Sequence, residues 1–194
     1  MPSMSMPLFL ASTSPRRSEL LRQIGLDFSV LTVDVDESLQ DGELPAAYVA
    51  RLARAKAAAG LAQVSGGVVV AADTTVVLGD EVLGKPATEA EAVDMWLRLS
   101  GRTHQVLTGV AVGDARHVDA MVVSTRVHFR AITRAEMHAY WSSGEPHDKA
   151  GGYGIQGRGA VFVDAIEGSY SNVVGLPLTE TAAMLARFGI RVLG

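Results

Sequence analysis

Apolar residues follow two alternating rhythms along this chain. Residues 8–11 (LFLA), residues 28–33 (FSVLTV) and Val68–Leu78 (VVVAADTTVVL) are short, dense apolar runs that read as strands. In PAAYVARLARAKAAAG the apolar positions instead recur at helical spacing, which predicts a helix over residues 45–59 ended by Gly60. Ser14 and Pro15 mark a second helix start, over residues 15–24. Thr88 with Glu91, and Thr133 with Glu136, form capping-box patterns that open helices reaching about Leu99 and Gly144. Glu81–Leu83 follows a Gly79-Asp80 turn as a hairpin strand, and residues 104–112 and 117–130 read as long strands. Beyond a glycine-rich loop, strands are expected at 160–166 and 169–174, and a helix at 177–188. Hairpin turns alternate with helical crossovers, so the pattern predicts an α/β fold with a mixed sheet flanked by helices. No repeat or linker divides the chain, and residues 1–194 read as a single domain.

Several polar residues break this pattern. Asp73 interrupts a strand that is otherwise apolar on both faces, and Thr74 follows it. A buried carboxylate is costly unless paired or metal-bound, so Asp73 is either a bulge bonded to backbone amides or a functional carboxylate. Lys56 falls on the face predicted from Tyr48, Val49, Leu52, Ala55 and Ala59, with Arg54 opposite. Such a lysine either snorkels to the rim or points at an anion in a cleft. Asp34, Asp36 and Glu37 follow a strand; they form a solvated loop or converge with Asp73. Carboxylates without His or Cys suit Mg²⁺ or Mn²⁺. In LASTSPRR, Arg16 and Arg17 sit in the first turn of a helix, where the macrodipole disfavours cations and a bound anion would remove the conflict.

Gly79 to Lys85 nearly matches a phosphate-binding P-loop, but Pro86 stands where that motif needs a hydroxyl, and Glu81–Leu83 reads as a strand. Lys85 remains as a separate cation. The loop DKAGGYGIQG permits close backbone approach to a ligand, and Gln156 offers both a donor and an acceptor suited to a base edge. The five histidines lack metal or triad spacing and receive no role, and neither Ser12 nor Ser14 sits in a nucleophile pattern.

Totals narrow the classes. A net charge of −4 without a basic run argues against nucleic acid as a partner. No apolar run approaches the roughly 20 residues of a membrane span. MPSMSMP lacks the features of a signal peptide, and no cysteine is present, so a cytoplasmic location without membrane association is expected.

LASTSPRRSELL, DVDE, YVARLARAKA, AADTTVVL, GKP, LSGRTHQVLTGVAV, DKAGGYGIQG and SYSNVVGLPL, in this order, resemble the Maf family of nucleoside triphosphate pyrophosphatases. The resemblance implies hydrolysis of a nucleoside triphosphate to its monophosphate and pyrophosphate with a divalent cation, Mg²⁺ or Mn²⁺. It implies an elongated mixed sheet with two lobes around a nucleotide cleft, similar to inosine triphosphate pyrophosphatases, and it admits a homodimer. Carried over by position, Asp73 is the proton acceptor, Asp73 and Glu37 are metal ligands, and Ser12, Arg16, Glu37, Lys56 and Lys85 belong to the phosphate and metal site. Arg16, Thr74 and Gln156 match the dTTP/UTP subgroup, with Arg17 as a supporting charge. The alternatives are a 7-methyl-GTP or other nucleotide pyrophosphatase, and a non-catalytic nucleotide-binding regulator of cell division.

Overall fold

The structure is a computed structural model that describes residues 6–193. Its elements in chain order begin with β1 (Leu8–Leu10), α1 (Pro15–Gln23), β2 (Ser29–Val30), α2 (Pro45–Leu61), β3 (Val68–Leu78) and β4 (Glu81–Leu83). They continue with α3 (Glu89–Leu99), β5 (Thr103–Gly113), β6 (Val118–Phe129), α4 (Arg134–Ser142), β7 (Val163–Glu167), α5 (Tyr170–Val174) and α6 (Leu178–Arg187). Three short 3₁₀ turns lie between α4 and β7. Among the described residues the seven strands form one sheet, ordered β2-β1-β3-β5-β6-β7, with β4 on β3 beside that path. β1 runs parallel to β2 and β3, whereas β4 is antiparallel to β3 and β7 to β6. The fold is therefore α/β with a mixed sheet, as the pattern predicts.

The contacts divide the described residues into two units. The first holds residues up to Asp73, Thr108–Val123 and those from Gly175 onward; the second holds Thr74–Leu107 and Ser124–Val174. β3, β5 and β6 contribute residues to both.

The first unit has a core of small side chains, with Ala11, Ala53, Ala57, Ala71 and Ala111 packed around Val69. A Cβ on Gly109 would overlap the Val49 carbonyl, and one on Gly60 would meet the Ala11 and Val69 side chains at 3.0 Å. These positions bring the backbone of α2 close to the strands. The second unit is built on aromatic rings. Phe129 lies edge-on to Tyr153 with centroids 4.7 Å apart, Tyr140 meets Phe162 at 5.1 Å, and Trp96 is fully buried.

Five expectations need correction. Gly60 does not end α2; the helix runs on to Leu61, and the missing side chain serves the close approach. The buried face of α2 centres on Val49, Leu52, Ala53, Ala57 and Gly60, leaving Tyr48, Ala55 and Ala59 only partly buried. Residues 28–33 shrink to the two-residue β2, because β1 offers only Phe9 and Leu10 as pairing partners. Residues 169–174 form a helical turn rather than a strand. The Ser169 hydroxyl accepts the Asn172 N–H at 3.2 Å, and the Asn172 side chain is buried on the Val106 carbonyl and the Thr125 hydroxyl. Within 160–166, only the part from Val163 is strand.

Candidate active site

The close seating of α2 determines where Lys56 can reach. Its Nζ lies 2.8 Å from Asp73 Oδ1 and 2.6 Å from Glu37 Oε1, so one ammonium joins two carboxylates from distant parts of the chain. Asp73 is 9% exposed, yet its charge is matched. The Glu37 side chain is 52% exposed, so the ion-pair cluster opens to solvent on that side.

Glu37 is carried on a stretch without secondary structure, residues 31–44, which two residues of α2 hold down. The Tyr48 hydroxyl donates to the Glu37 carbonyl at 2.9 Å, and Arg51 Nη2 donates to the Ser38 carbonyl at 2.9 Å. Arg51 also grips the Glu43 carboxylate through two bonds of 2.6 and 2.7 Å, a bidentate fork. Burial, and after it the negative charges of Asp73 and Glu37, raise the Tyr48 phenol above its ordinary value. Asp36 turns its carboxylate onto the Ser38 N–H.

The turn between β1 and α1 supplies further cations. Ser14 occupies the N-cap position but its side chain makes no capping bond; instead its N–H donates to the Ser12 hydroxyl at 3.2 Å. Arg17 Nη1 donates to the same hydroxyl at 3.2 Å, and its Nε donates to the Gly175 carbonyl at 2.8 Å. Burial lowers the Arg17 pKa, and the carboxylates of Asp73 and Glu37 oppose that shift. Arg17 therefore lies within electrostatic reach of the Lys56 cluster. Arg16 lies beside it in the first turn of α1, partly buried.

The second unit carries Thr74, Lys85 and Gln156. Thr74 follows Asp73 directly in β3, so strand alternation turns it to the opposite face. β3 and β4 pair with Val76 opposite Leu83 and Leu78 opposite Glu81, which excludes the P-loop reading of this segment. Lys85 is exposed in the loop after β4. That loop is tied to the glycine-rich segment, since the Gly151 N–H donates to the Gly84 carbonyl at 3.0 Å. Gln156 is exposed in a turn of that segment. The Tyr140 hydroxyl donates to Glu145 at 2.7 Å and accepts the Gly154 N–H at 3.1 Å. Tyr153, from the glycine-rich segment, places its hydroxyl 2.7 Å from His104 Nε2 in the aromatic core. Burial pulls the His104 pKa down to about 4, so the ring is neutral near pH 7.

The structure thus gathers Lys56, Asp73 and Glu37, joins Ser12 to Arg17 with Arg16 alongside, and links the loops of Lys85 and Gln156. Sequence reasoning missed Tyr48 and Arg51, although their i, i+3 spacing on α2 is a readable signal. It also missed Glu145, whose partners are mostly backbone amides that no side-chain pattern announces. Among the described residues, no group of three or more His, Cys, Asp or Glu is arranged to hold a metal ion. Asp73 and Glu37 meeting at one cation nevertheless fit a hard divalent ion, which commonly takes one or two carboxylates and completes its shell with water and phosphate oxygens. No helix is long and apolar enough to cross a membrane.

The chain is similar to several known proteins. A dTTP/UTP pyrophosphatase of Myxococcus xanthus is 56% identical over 183 residues, covering 94% of this chain and 93% of that protein. A dTTP/UTP pyrophosphatase of Pseudoalteromonas translucida is 52% identical, covering 95% and 98%. Among solved structures, the Ham1 protein of Staphylococcus aureus aligns with 16% identity and a TM-score of 0.47, over 63% of this chain and 71% of that one. The Maf-like protein family matches residues 7–188, nearly the whole length, and the chain belongs to that family.

Proposed function

We propose that this protein hydrolyses dTTP and UTP to the nucleoside monophosphate and pyrophosphate. The observation that carries the reading is Lys56 held between Asp73 and Glu37, within the electrostatic reach of Arg17. Relatives more than 50% identical over nearly their full length, named as dTTP/UTP pyrophosphatases, support the choice of substrate.

In this reading a water oxygen attacks the α-phosphorus, the bond from that phosphorus to the bridging oxygen breaks, and pyrophosphate leaves. Asp73 accepts the water's proton. Ser12 and the first amides of α1 bind phosphate oxygens at the positive end of the helix. Arg16, Arg17, Lys56 and Lys85 balance charge building on the leaving group. Asp73 and Glu37 would hold Mg²⁺ or Mn²⁺, which when bound supplies charge neutralisation at the phosphates and a more acidic water. A triphosphate competes with both carboxylates for Lys56, so the pairs of Lys56 loosen as substrate enters. Gln156 pairs its amide with the carbonyl and N–H edge of the pyrimidine.

The test is to incubate the purified protein with Mg²⁺ or Mn²⁺ and a panel of nucleoside triphosphates, then identify the products. Pyrophosphate with dTMP or UMP is expected; orthophosphate with diphosphates overturns the reading. Gln156→Glu is expected to lower dTTP and UTP turnover relative to 7-methyl-GTP, and an unchanged ratio means that the base is read elsewhere.

A further inference from the structure

Glu145 follows α4 and packs its carboxylate beneath the glycine-rich segment. Oε1 accepts the Tyr140 hydroxyl at 2.7 Å and the Gly159 N–H at 3.1 Å, and Oε2 accepts the Arg158 N–H at 2.8 Å. The Tyr140 oxygen in turn accepts the Gly154 N–H, so amides on both sides of Gln156 end on one phenol–carboxylate pair. A Cβ on Gly157 would overlap the Glu145 carboxylate, so the backbone beside Gln156 lies directly on that group. Lys149 Nζ donates to the Glu145 carbonyl at 2.6 Å, which fixes the start of the turn. Burial raises the Glu145 pKa, but the hydroxyl and the two amide donors outweigh it and hold the group below the ordinary carboxylate range. Glu145 is thus an anion that satisfies three donors at once. A glutamine keeps a single acceptor oxygen and would turn an NH₂ toward one of those donors.

We infer that Glu145 is a positioning residue for substrate selection: its carboxylate, with Tyr140, sets the backbone curve from which Gln156 presents its amide. The inference rests on the reading of Gln156 as the residue that meets the base. Glu145 touches neither base nor phosphate in this role. Its effect therefore falls on discrimination between substrates and on KM, rather than on the turnover of every nucleotide alike.

The experiment compares Gln156→Ala, Glu145→Gln and the double variant of the full chain by kcat/KM on dTTP and on GTP. Glu145→Gln is expected to lower the dTTP:GTP ratio by roughly 10-fold or more, as misplacing a positioned group does. That loss is expected mainly through KM for dTTP. In the Gln156→Ala background the same change is expected to leave the ratio where it was, because both changes remove one interaction. An additive double variant, or an equal fall in kcat on both nucleotides, overturns the inference while base reading by Gln156 stands. An unchanged ratio in Gln156→Ala removes base reading itself, and the inference falls with it. If Glu145→Gln does not fold, Tyr140→Phe keeps the ring and removes the hydroxyl that joins Glu145 to Gly154. It is expected to lower the same ratio, and an unchanged ratio overturns the inference.

Discussion

Around Asp73 the chain uses small residues to bring charges together, whereas around Tyr153 it uses large rings to bury polar groups that are mostly neutral. In the first unit, alanines and Gly60 let α2 lie close to the strands, and a lysine arm spans the remaining distance to Asp73. Charge there is matched pair by pair and stays partly open to water through Glu37. In the second unit, His104 and Tyr153 are neutral partners within the aromatic core, and the carboxylate of Glu145, beneath the glycine-rich segment, is spent on a hydroxyl and two amides. Under the proposed function, exchangeable charge suits a place where an anionic substrate displaces existing pairs. A carboxylate engaged by three donors suits a loop held in one shape.

The comparison breaks most visibly at Asp73. Asp73→Asn keeps the volume and a hydrogen-bond acceptor for Lys56 but removes the base, and a loss of roughly 10²-fold or more in kcat is expected. Pyrophosphate release by a variant with an unaltered melting curve checks it, and turnover near that of the parent protein would sink the assignment.

His104 sharpens the other side. Its folded-state pKa of about 4 lies below the ordinary 6.5, so the unfolded chain binds the extra proton first as pH falls. Stability from this group is fully present above about pH 6.5 and is lost toward pH 4, by about 3 kcal/mol. Urea unfolding across that range measures it. His104→Leu is expected to flatten the decline relative to its own plateau, and an unchanged slope would assign the effect to other groups.

The smallest effect is expected where Glu37 is held in place. Arg51→Gln removes the fork to Glu43 and the bond to the Ser38 carbonyl, loosening the stretch that presents Glu37 to Lys56. An ion pair near the surface, here with the Arg51 side chain 29% exposed, is worth about 0.2–1 kcal/mol, so KM is expected to rise at most about fivefold with kcat kept. A large fall in kcat would mean that Arg51 acts on the reaction itself.

Most elements were readable because their signals are local. The Thr133–Glu136 capping box forms in full, and Thr88 accepts the Glu91 N–H, although the Glu91 carboxylate turns to the Ala87 N–H instead. Gly79 takes a positive φ at the hairpin turn read from the sequence. Errors arose where tertiary contacts overrode a local pattern. Residues 169–174 read as strand until Asn172 finds the Val106 carbonyl and Ser169 caps a turn. Lys56 and Asp73 were visible as misplaced charges, but nothing in their spacing paired them, and Arg17 looked secondary until its bond to Gly175 turned it inward.

The amino-acid sequence alone determined the α/β class, the order of most elements and the residue types from which the proposed phosphate site is built. These follow from periodicity, capping and turn chemistry, which act over a few residues. Tertiary structure alone decided that Lys56 joins Asp73 to Glu37, that Arg17 meets Ser12, and that Glu145 underlies the turn of Gln156. Those contacts link residues 5 to 19 positions apart. They depend on how closely backbones approach, which the absence of a Cβ at Gly60, Gly109 or Gly157 permits but no local pattern reveals.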